Sequence, residues 1–266
     1  MLDQKILVLI YGVLGRSLSY NFKNHQNNIF EPLDDFGINY SIAYINNDIE
    51  NELIDGNPQN LSIVKKLNYD YYTEIKQSFI DKMIFEKYSS LIELKKSKDS
   101  GFFSNFHCFR NSFIESQCAA FLDNFSDCFD QCLVFCSDLF FGHPIREEYF
   151  NKKDHVKIGN QNHACGLTNG FYIGRLKSVS QLLNTFNYIK KINPSCYEGT
   201  LSYNKNKYNI NIETLEDKWR WLKIRSDSSP AYFDYVEWGI KGRRPQYYKI
   251  KHLLPIYENY IKTHEN

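Results

Sequence analysis

Apolar runs and helical stripes alternate along the chain. Lys5-Ile-Leu-Val-Leu-Ile-Tyr11 is apolar on both faces and stops at Gly12, the pattern of a central strand in a covered parallel sheet. Ser17 to Phe30 reads as a first helix or irregular helical segment. Ile38 to Ile45 returns as a second strand, with Asn46-Asn47-Asp48 as its polar stop. Asp55-Gly-Asn-Pro58 marks a turn, and helical patterning fills Tyr72 to Lys96. Phe106, Phe109, Phe113, Ile114, Cys118, Phe121 and Leu122 predict an amphipathic helix over residues 105 to 124, apolar face on the sheet, with Arg110 and Gln117 on one side. Gln131 to Cys136 is the next buried strand and ends directly in Ser137-Asp138. Leu167 to Gly174 is another strand-like run. Ser178-x-x-Gln181 resembles a capping box that opens a helix reaching Ile189, and a last helix is expected from Glu213 to Ile224. An aromatic tail follows Pro230.

Strands alternating with helices imply an α/β fold, a mainly parallel, Rossmann-like sheet flanked by helices on both faces. In such sheets ligands collect at the carboxyl ends of the strands. That rule selects Gly12 to Ser17, Asn46 to Asp48 and Ser137-Asp138. With no Pro-, Gly- or Ser-rich linker, the 266 residues read as a single domain.

Composition narrows the partners. Lys plus Arg number 32 against 31 Asp plus Glu, so no overall field is available to hold nucleic acid, and an anionic ligand must be caught locally. The longest apolar run, Ile6 to Leu14, falls far short of the roughly 20 residues of a membrane span. The chain therefore reads as cytosolic. Seven cysteines make no disulfide framework. Cys128, Cys132 and Cys136 with His163-x-Cys165 match zinc spacings loosely, and core packing accounts for Cys132 and Cys136 within a buried strand.

Gly12-Val-Leu-Gly15-Arg16-Ser17 follows a strand and precedes a helical region, where backbone N–H groups and a guanidinium can bind a diphosphate; the alternative is a tight turn with a solvated Arg. Neither a dinucleotide fingerprint nor a Walker motif is present. Asp138, at the tip of a central strand, suits Mg2+ or Mn2+ together with phosphate oxygens, or else caps a turn. Glu213 and Glu216 open the expected last helix, where the dipole alone favours acids. Asp227, Asp234 and Glu237 are further carboxylates, and Lys241, Arg243 and Arg244 form a basic cluster. Tyr69, Tyr71 and Tyr72, or Tyr232, Tyr235 and Trp238, are aromatic platforms outside the helical period.

The order of these segments resembles GT-A-type nucleotide-sugar glycosyltransferases, of the kind found in large DNA viruses and bacterial surface-polysaccharide loci. It comprises Gly-x-x-Gly-Arg after the first strand, Arg110 to Ala119 on a helix, a strand ending in Ser137-Asp138-Leu139, and Thr168-Asn-Gly-Phe-Tyr-Ile-Gly174. The resemblance covers residues 5 to 225. It implies a nucleotide-binding half over residues 1–140 and an acceptor half with a tail over 141–266. It also implies a nucleoside diphosphate sugar donor and a glycan or protein acceptor. Gly12, Gly15, Arg16, Ser17, Arg110, Ser137 and Asn169 would hold the donor. Asp138 would hold Mn2+ or Mg2+, with Glu213 or Glu216 near the acceptor as catalytic carboxylate. In the family the strand-end motif is D-x-D; here Cys136 stands in place of the first carboxylate. Where the family reads T-D-R-F, this chain has Thr168-Asn169-Gly170-Phe171. Two other readings of the same residues are a non-catalytic binding protein of this fold and a different nucleotide-using transferase.

Overall fold

The computed structural model describes residues 5–50, 53–54, 57–58, 60–96, 102–151, 154–159, 167–189, 198–215, 221–224 and 253–264. In chain order these form β1 (Lys5–Gly12), α1 (Leu14–His25), a π-helical turn, α2 (Glu31–Asp35), β2 (Asn39–Asp48), the hairpin β3 (Leu53–Ile54) and β4 (Asn57–Pro58), and α3 (Leu61–Val64). Next come β5 (Tyr71–Lys76), α4 (Gln77–Lys96), α5 (Phe102–Asn124), β6 (Gln131–Cys136), β7 (Leu139–Phe141) and β8 (Val156–Ile158). The chain continues with β9 (Phe171–Gly174), α6 (Leu176–Leu183), α7 (Glu198–Lys207), β10 (Ile212–Thr214), β11 (Trp221–Lys223) and α8 (Leu254–His264).

Seven strands make one sheet in the order β10-β8-β9-β6-β1-β2-β5. All run the same way except β9, which is antiparallel to β6 and β8. This is the mainly parallel α/β sheet expected from the alternation, and β1 and β6 lie side by side at its centre. Both are buried on both faces, as their unbroken apolar runs require. Successive residues of β1 serve opposite layers. Leu7, Leu9 and Tyr11 pack with Ile114, Cys118 and Leu122 of α5 and Val179 and Leu182 of α6. Ile6, Val8 and Ile10 pack with Leu14, Leu18, Ile29 and Leu33 around α1 and α2. Cys132 is fully buried in the α5 layer, as the packing account of that thiol expects.

Several boundaries differ from the sequence pattern, each for a local reason. The segment Gly15-Arg16-Ser17, expected as a turn, forms the first turn of α1, because Gly12 alone completes the reversal out of β1 with φ of +120°. Asn46-Asn47-Asp48 continues β2 instead of ending it. Tyr71–Lys76 is an edge strand and the helix begins only at Gln77; with no loop residue between them, Tyr72, Ile75 and Phe79 imitate one helical stripe. Helix α6 starts at Leu176 behind an extended Arg175, so Ser178 is inside it and no capping box forms, and the helix breaks at Asn184. The helix expected from Glu213 to Ile224 is instead β10 and β11, since Leu215, Trp219 and Leu222 happen to fall at helical intervals.

Two features frame the carboxyl edge of the sheet. Helices α4 and α5 run antiparallel, with Asp81 against Arg110, Phe85 against Phe106 and Phe79 against Phe113. Glu115 of α5 is tied to Tyr11 near the end of β1. The 13 residues of α5 before Glu115 therefore extend past the sheet edge by as much as about 20 Å. On the other side, the two-stranded ribbon β7–β11 and helix α8 make a small third core of Phe140, Leu222, Ile224, Leu253 and Tyr257. The Tyr260 hydroxyl donates to Tyr20 O of α1 at 2.9 Å and fixes α8 there.

Candidate functional site

Register brings the selected residues to one level. Gly12 stands beside Asn46 of β2, and Tyr11 beside Cys136 of β6. Ser137 N donates to Tyr11 O at 2.8 Å, extending the β1–β6 ladder by one residue before the chain turns at Asp138. Gly12 is required here: its φ is positive, and a Cβ would lie 3.1 Å from Ser137 Oγ and 3.3 Å from Cys136 Sγ. From β9, Gly170 O accepts Cys136 N at 2.8 Å, which brings Thr168 and Asn169 to the same edge. Gly12, Gly15, Arg16, Ser17, Ser137, Asp138 and Asn169 thus lie around the carboxyl ends of β1 and β6.

Helix α1 holds this turn through a stripe of polar side chains facing inward. The Ser17 and Ser137 hydroxyls share a hydrogen bond of 2.7 Å, and Asn21 Nδ2 donates to Ser137 O at 3.2 Å. Asn24 makes a reciprocal pair with Phe141, receiving its N–H at 2.8 Å and donating to its carbonyl at 2.9 Å. His25 Nε2–H donates to Leu139 O at 2.7 Å. On the far side Ile224 N donates to Asp138 O at 2.8 Å. Residues 137–141 are therefore bonded from β11 on one flank and from side chains of α1 on the other, which satisfies backbone groups that a buried loop would leave unpaired. Ser17, Asn21, Asn24 and His25 recur at helical spacing within the segment read as helical, but their polarity marks that stripe as a solvent face when it is the buried one.

Two arginines at this edge are engaged differently. Arg110 forms a complete fork with Asp81, Nε to Oδ1 at 2.8 Å and Nη2 to Oδ2 at 2.6 Å, with its guanidinium over the Phe106 ring. Asp81 in turn accepts from Gln77, which accepts from Asn47 of β2. Arg110 thus stands at the expected edge but is committed to a carboxylate. Arg16 makes a single bond to Asp138, Nη2 to Oδ2 at 3.3 Å, while Arg16 Nε and Asp138 Oδ1 are buried without a hydrogen-bond partner. Asp138 is 8% exposed. Arg16 also sits in the first turn of α1, where the helix N-terminus favours anions and has no side-chain cap; Leu14 N is taken by Asn46 Oδ1.

Behind these groups Glu115 accepts from the Tyr11 hydroxyl at 2.6 Å and from Tyr172 at 3.1 Å, and Tyr172 accepts the Gly170 N–H at 3.1 Å. Burial, followed by the charge of Glu115, pushes the Tyr11 phenol well up. Burial also pushes the Cys136 thiol up; Asp138 adds to the rise and Lys223 opposes it.

A divalent cation on Asp138, as the resemblance implies, finds a poor donor set. One oxygen is matched by Arg16 and the other is enclosed, and Cys136 is a protonated thiol where a second carboxylate is expected. Among the described residues no three His, Cys, Asp or Glu side chains are grouped so as to hold a metal ion. The residues present do not fit a metal held in that manner.

Glu213 is not brought to this place. It lies in edge strand β10, level with Lys157, Ile173 and Leu133, hence three strands across and three residues below Cys136, about 14 Å by 10 Å away. The helix-dipole account of its position also lapses, since it is in a strand. Of the aromatic platforms, Tyr71 packs inward on Phe121 and Phe125, while Tyr69 and Tyr72 stack at the β5 edge. Glu216, His163, Cys165, Asp227, Asp234, Glu237, Tyr232, Tyr235, Trp238, Lys241, Arg243 and Arg244 lie outside the described residues. No helix among the described residues is long and apolar enough to cross a membrane. Compared with protein-family models and with curated proteins, the chain matches none.

Two outcomes are expected. Replacing Asn24 with Ala removes the acceptor of the Phe141 N–H and the shorter of two bonds to its carbonyl, the other coming from Asn28 Nδ2 at 3.4 Å, and the free energy of urea unfolding should fall by roughly 1–3 kcal/mol; a loss below about half a kcal/mol would show that the stripe does not hold the turn. Burial lowers the pKa of His25 from 6.5 to about 4, against the smaller upward pull of Leu139 O and Asp138. Above pH 6.5 the imidazole is neutral in both folded and unfolded chain. As pH falls toward 4 the unfolded chain binds the proton first, so stability should drop by roughly 3 kcal/mol over that window. Unfolding measured across it should lose this slope in His25→Asn, and an unchanged slope would contradict the assignment.

Proposed function

We propose that the protein transfers a sugar from a nucleoside diphosphate sugar to a hydroxyl of a glycan or protein acceptor, on a sheet of GT-A type. The observation that carries this reading is the Arg16–Asp138 pair, part-buried and half-bonded, at the N-terminus of α1 and the carboxyl ends of β1 and β6. Ligands of open α/β sheets collect at that position. Thr168 to Gly170, part of the segment on which the resemblance rests, come to the same edge.

In the reaction the anomeric C–O bond to the diphosphate breaks as a bond to the acceptor oxygen forms, and the acceptor hydroxyl gives up its proton. Negative charge grows on the departing diphosphate. The Arg16 guanidinium stands at the positive end of α1 and is fixed before the reaction, so it stabilises that charge without reorganising. Asp138 aims the guanidinium, and the Ser17–Ser137 contact sets the distance between the two loops. Gly12 keeps the approach clear of a side chain. The network of Glu115, Tyr11 and Tyr172 sets the height of Gly170, and with it the lip of the site nearest β9.

A thermal-shift screen against nucleoside diphosphates and their sugar conjugates tests the reading. A ligand at a hundred times its dissociation constant stabilises the fold by about 2.7 kcal/mol, and one nucleotide series should raise the melting temperature by roughly 5 °C or more. Nucleoside diphosphate release should then accelerate on adding an acceptor glycan. Binding without turnover for any sugar conjugate would favour the non-catalytic alternative, and the absence of any shift would remove the nucleotide reading altogether.

A further inference from the structure

The two arginine–aspartate pairs differ in a way that points to a ligand. Arg110 presents its Nε and Nη2 edge to Asp81 and makes both bonds of the fork. Arg16 uses Nη2 alone on Asp138, at 3.3 Å, and the two atoms that would complete the fork, Arg16 Nε and Asp138 Oδ1, are buried and unpartnered. The fork is held open because Asp138 is fixed by its own backbone, through Ile224 N and the flanking bonds of Ser137 and Leu139, and cannot slide toward Arg16. A buried N–H without an acceptor is unfavourable, so this edge is ready for an oxygen from outside the chain.

The oxygen is anionic. Arg16 lies in the first turn of α1, and Lys223 is near enough for its charge to act on Cys136 beside Asp138. Among the described residues Asp138 is the carboxylate paired with Arg16, and Glu115 is occupied by the phenols of Tyr11 and Tyr172. A divalent cation on Asp138 would instead stand within a few ångströms of the guanidinium and be repelled by it.

Resting on the nucleotide-sugar reading, we infer that Arg16 is the built-in cation of the site: the donor's diphosphate binds its Nε edge without a divalent metal, and Asp138 is a positioning residue for the guanidinium. A guanidinium suits this task because it is always charged and presents its donors in a rigid plane.

Calorimetric titration of the full chain with UDP, GDP, ADP, CDP and dTDP, in Mn2+ and again in EDTA, tests the inference. At least one nucleotide should bind in both buffers with dissociation constants within roughly threefold of each other. Arg16→Ala should weaken that binding about ten- to hundredfold in EDTA, and Arg16→Lys, which keeps the charge but lacks the Nε edge, should also weaken it. Asp138→Asn, which still accepts from Arg16 but cannot replace a metal-binding carboxylate, should stay within about tenfold of the parent. Melting curves of each variant separate these effects from unfolding. Binding that appears only in Mn2+ and vanishes in Asp138→Asn would overturn the inference and leave the nucleotide-sugar reading standing. The absence of nucleotide binding in both buffers would overturn both.

Discussion

The structure around the carboxyl edge depends on hydrogen bonds from one face of a helix to the backbone of a turn. Among the described residues strand β7 pairs with β11 on one side, and on the other Asn24 and His25 of α1 bond its backbone while Ser17 and Asn21 bond Ser137 just before it. A helix that packs on a sheet normally offers an apolar stripe. Here about half of the buried face is polar, and each of its four polar side chains bonds the turn through one atom or more, while Asn21 Oδ1 and His25 Nδ1 are left without a hydrogen-bond partner. The arrangement trades some apolar burial for direction: hydrogen bonds fix the angle and register of the turn in a way that dispersion contacts do not. Asp138 is placed by this bracing, and so is the geometry of its contact with Arg16.

That contact gains its character from what surrounds it. Asp81 is carried on helix α4 with its side chain partly exposed, and both of its oxygens meet Arg110, so the fork closes. Asp138 hangs from a backbone bonded on both flanks, and Arg16 leaves a helix whose start is set by Gly12. Neither end is free to relax. Rigid placement of both partners keeps a charged pair incomplete inside the protein, a state that a more flexible loop would abolish by closing on itself.

Much of this was legible in the residues and some was not. Strands β1 and β6 and the long helix α5 stood out because burial on both faces, or a strict helical period, leaves an unambiguous pattern. Their juxtaposition at the sheet centre then put Arg16 and Asp138 near each other, as the strand-end rule expects. Strand β5 escaped because it passes into α4 without a turn residue, and its exposed edge position tolerates Glu74 and Lys76. Strands β10 and β11 were hidden by apolar residues at chance helical intervals, which moved Glu213 from a helix start to a distant sheet edge. The polar stripe of α1 was illegible for a deeper reason. A buried asparagine looks like a loop residue until the backbone that it bonds is known, and that backbone lies more than a hundred positions away.

Strand β9 runs against the other six strands of the sheet, and this sorts the connections of the second half of the chain into two kinds. The link from β8 to β9 begins and ends at the carboxyl edge, next to Asp138. The link from β9 to α6 is a single residue, Arg175, at the opposite edge. Exchanges at Thr168 and Asn169, which this link delivers to the carboxyl edge, would therefore change the surface beside Cys136 and Asp138 while the sheet stays as it is. Changes at Arg175 would act on the packing of α6 at the far edge. The reversal separates residues that face the strand ends from residues that hold the layers together.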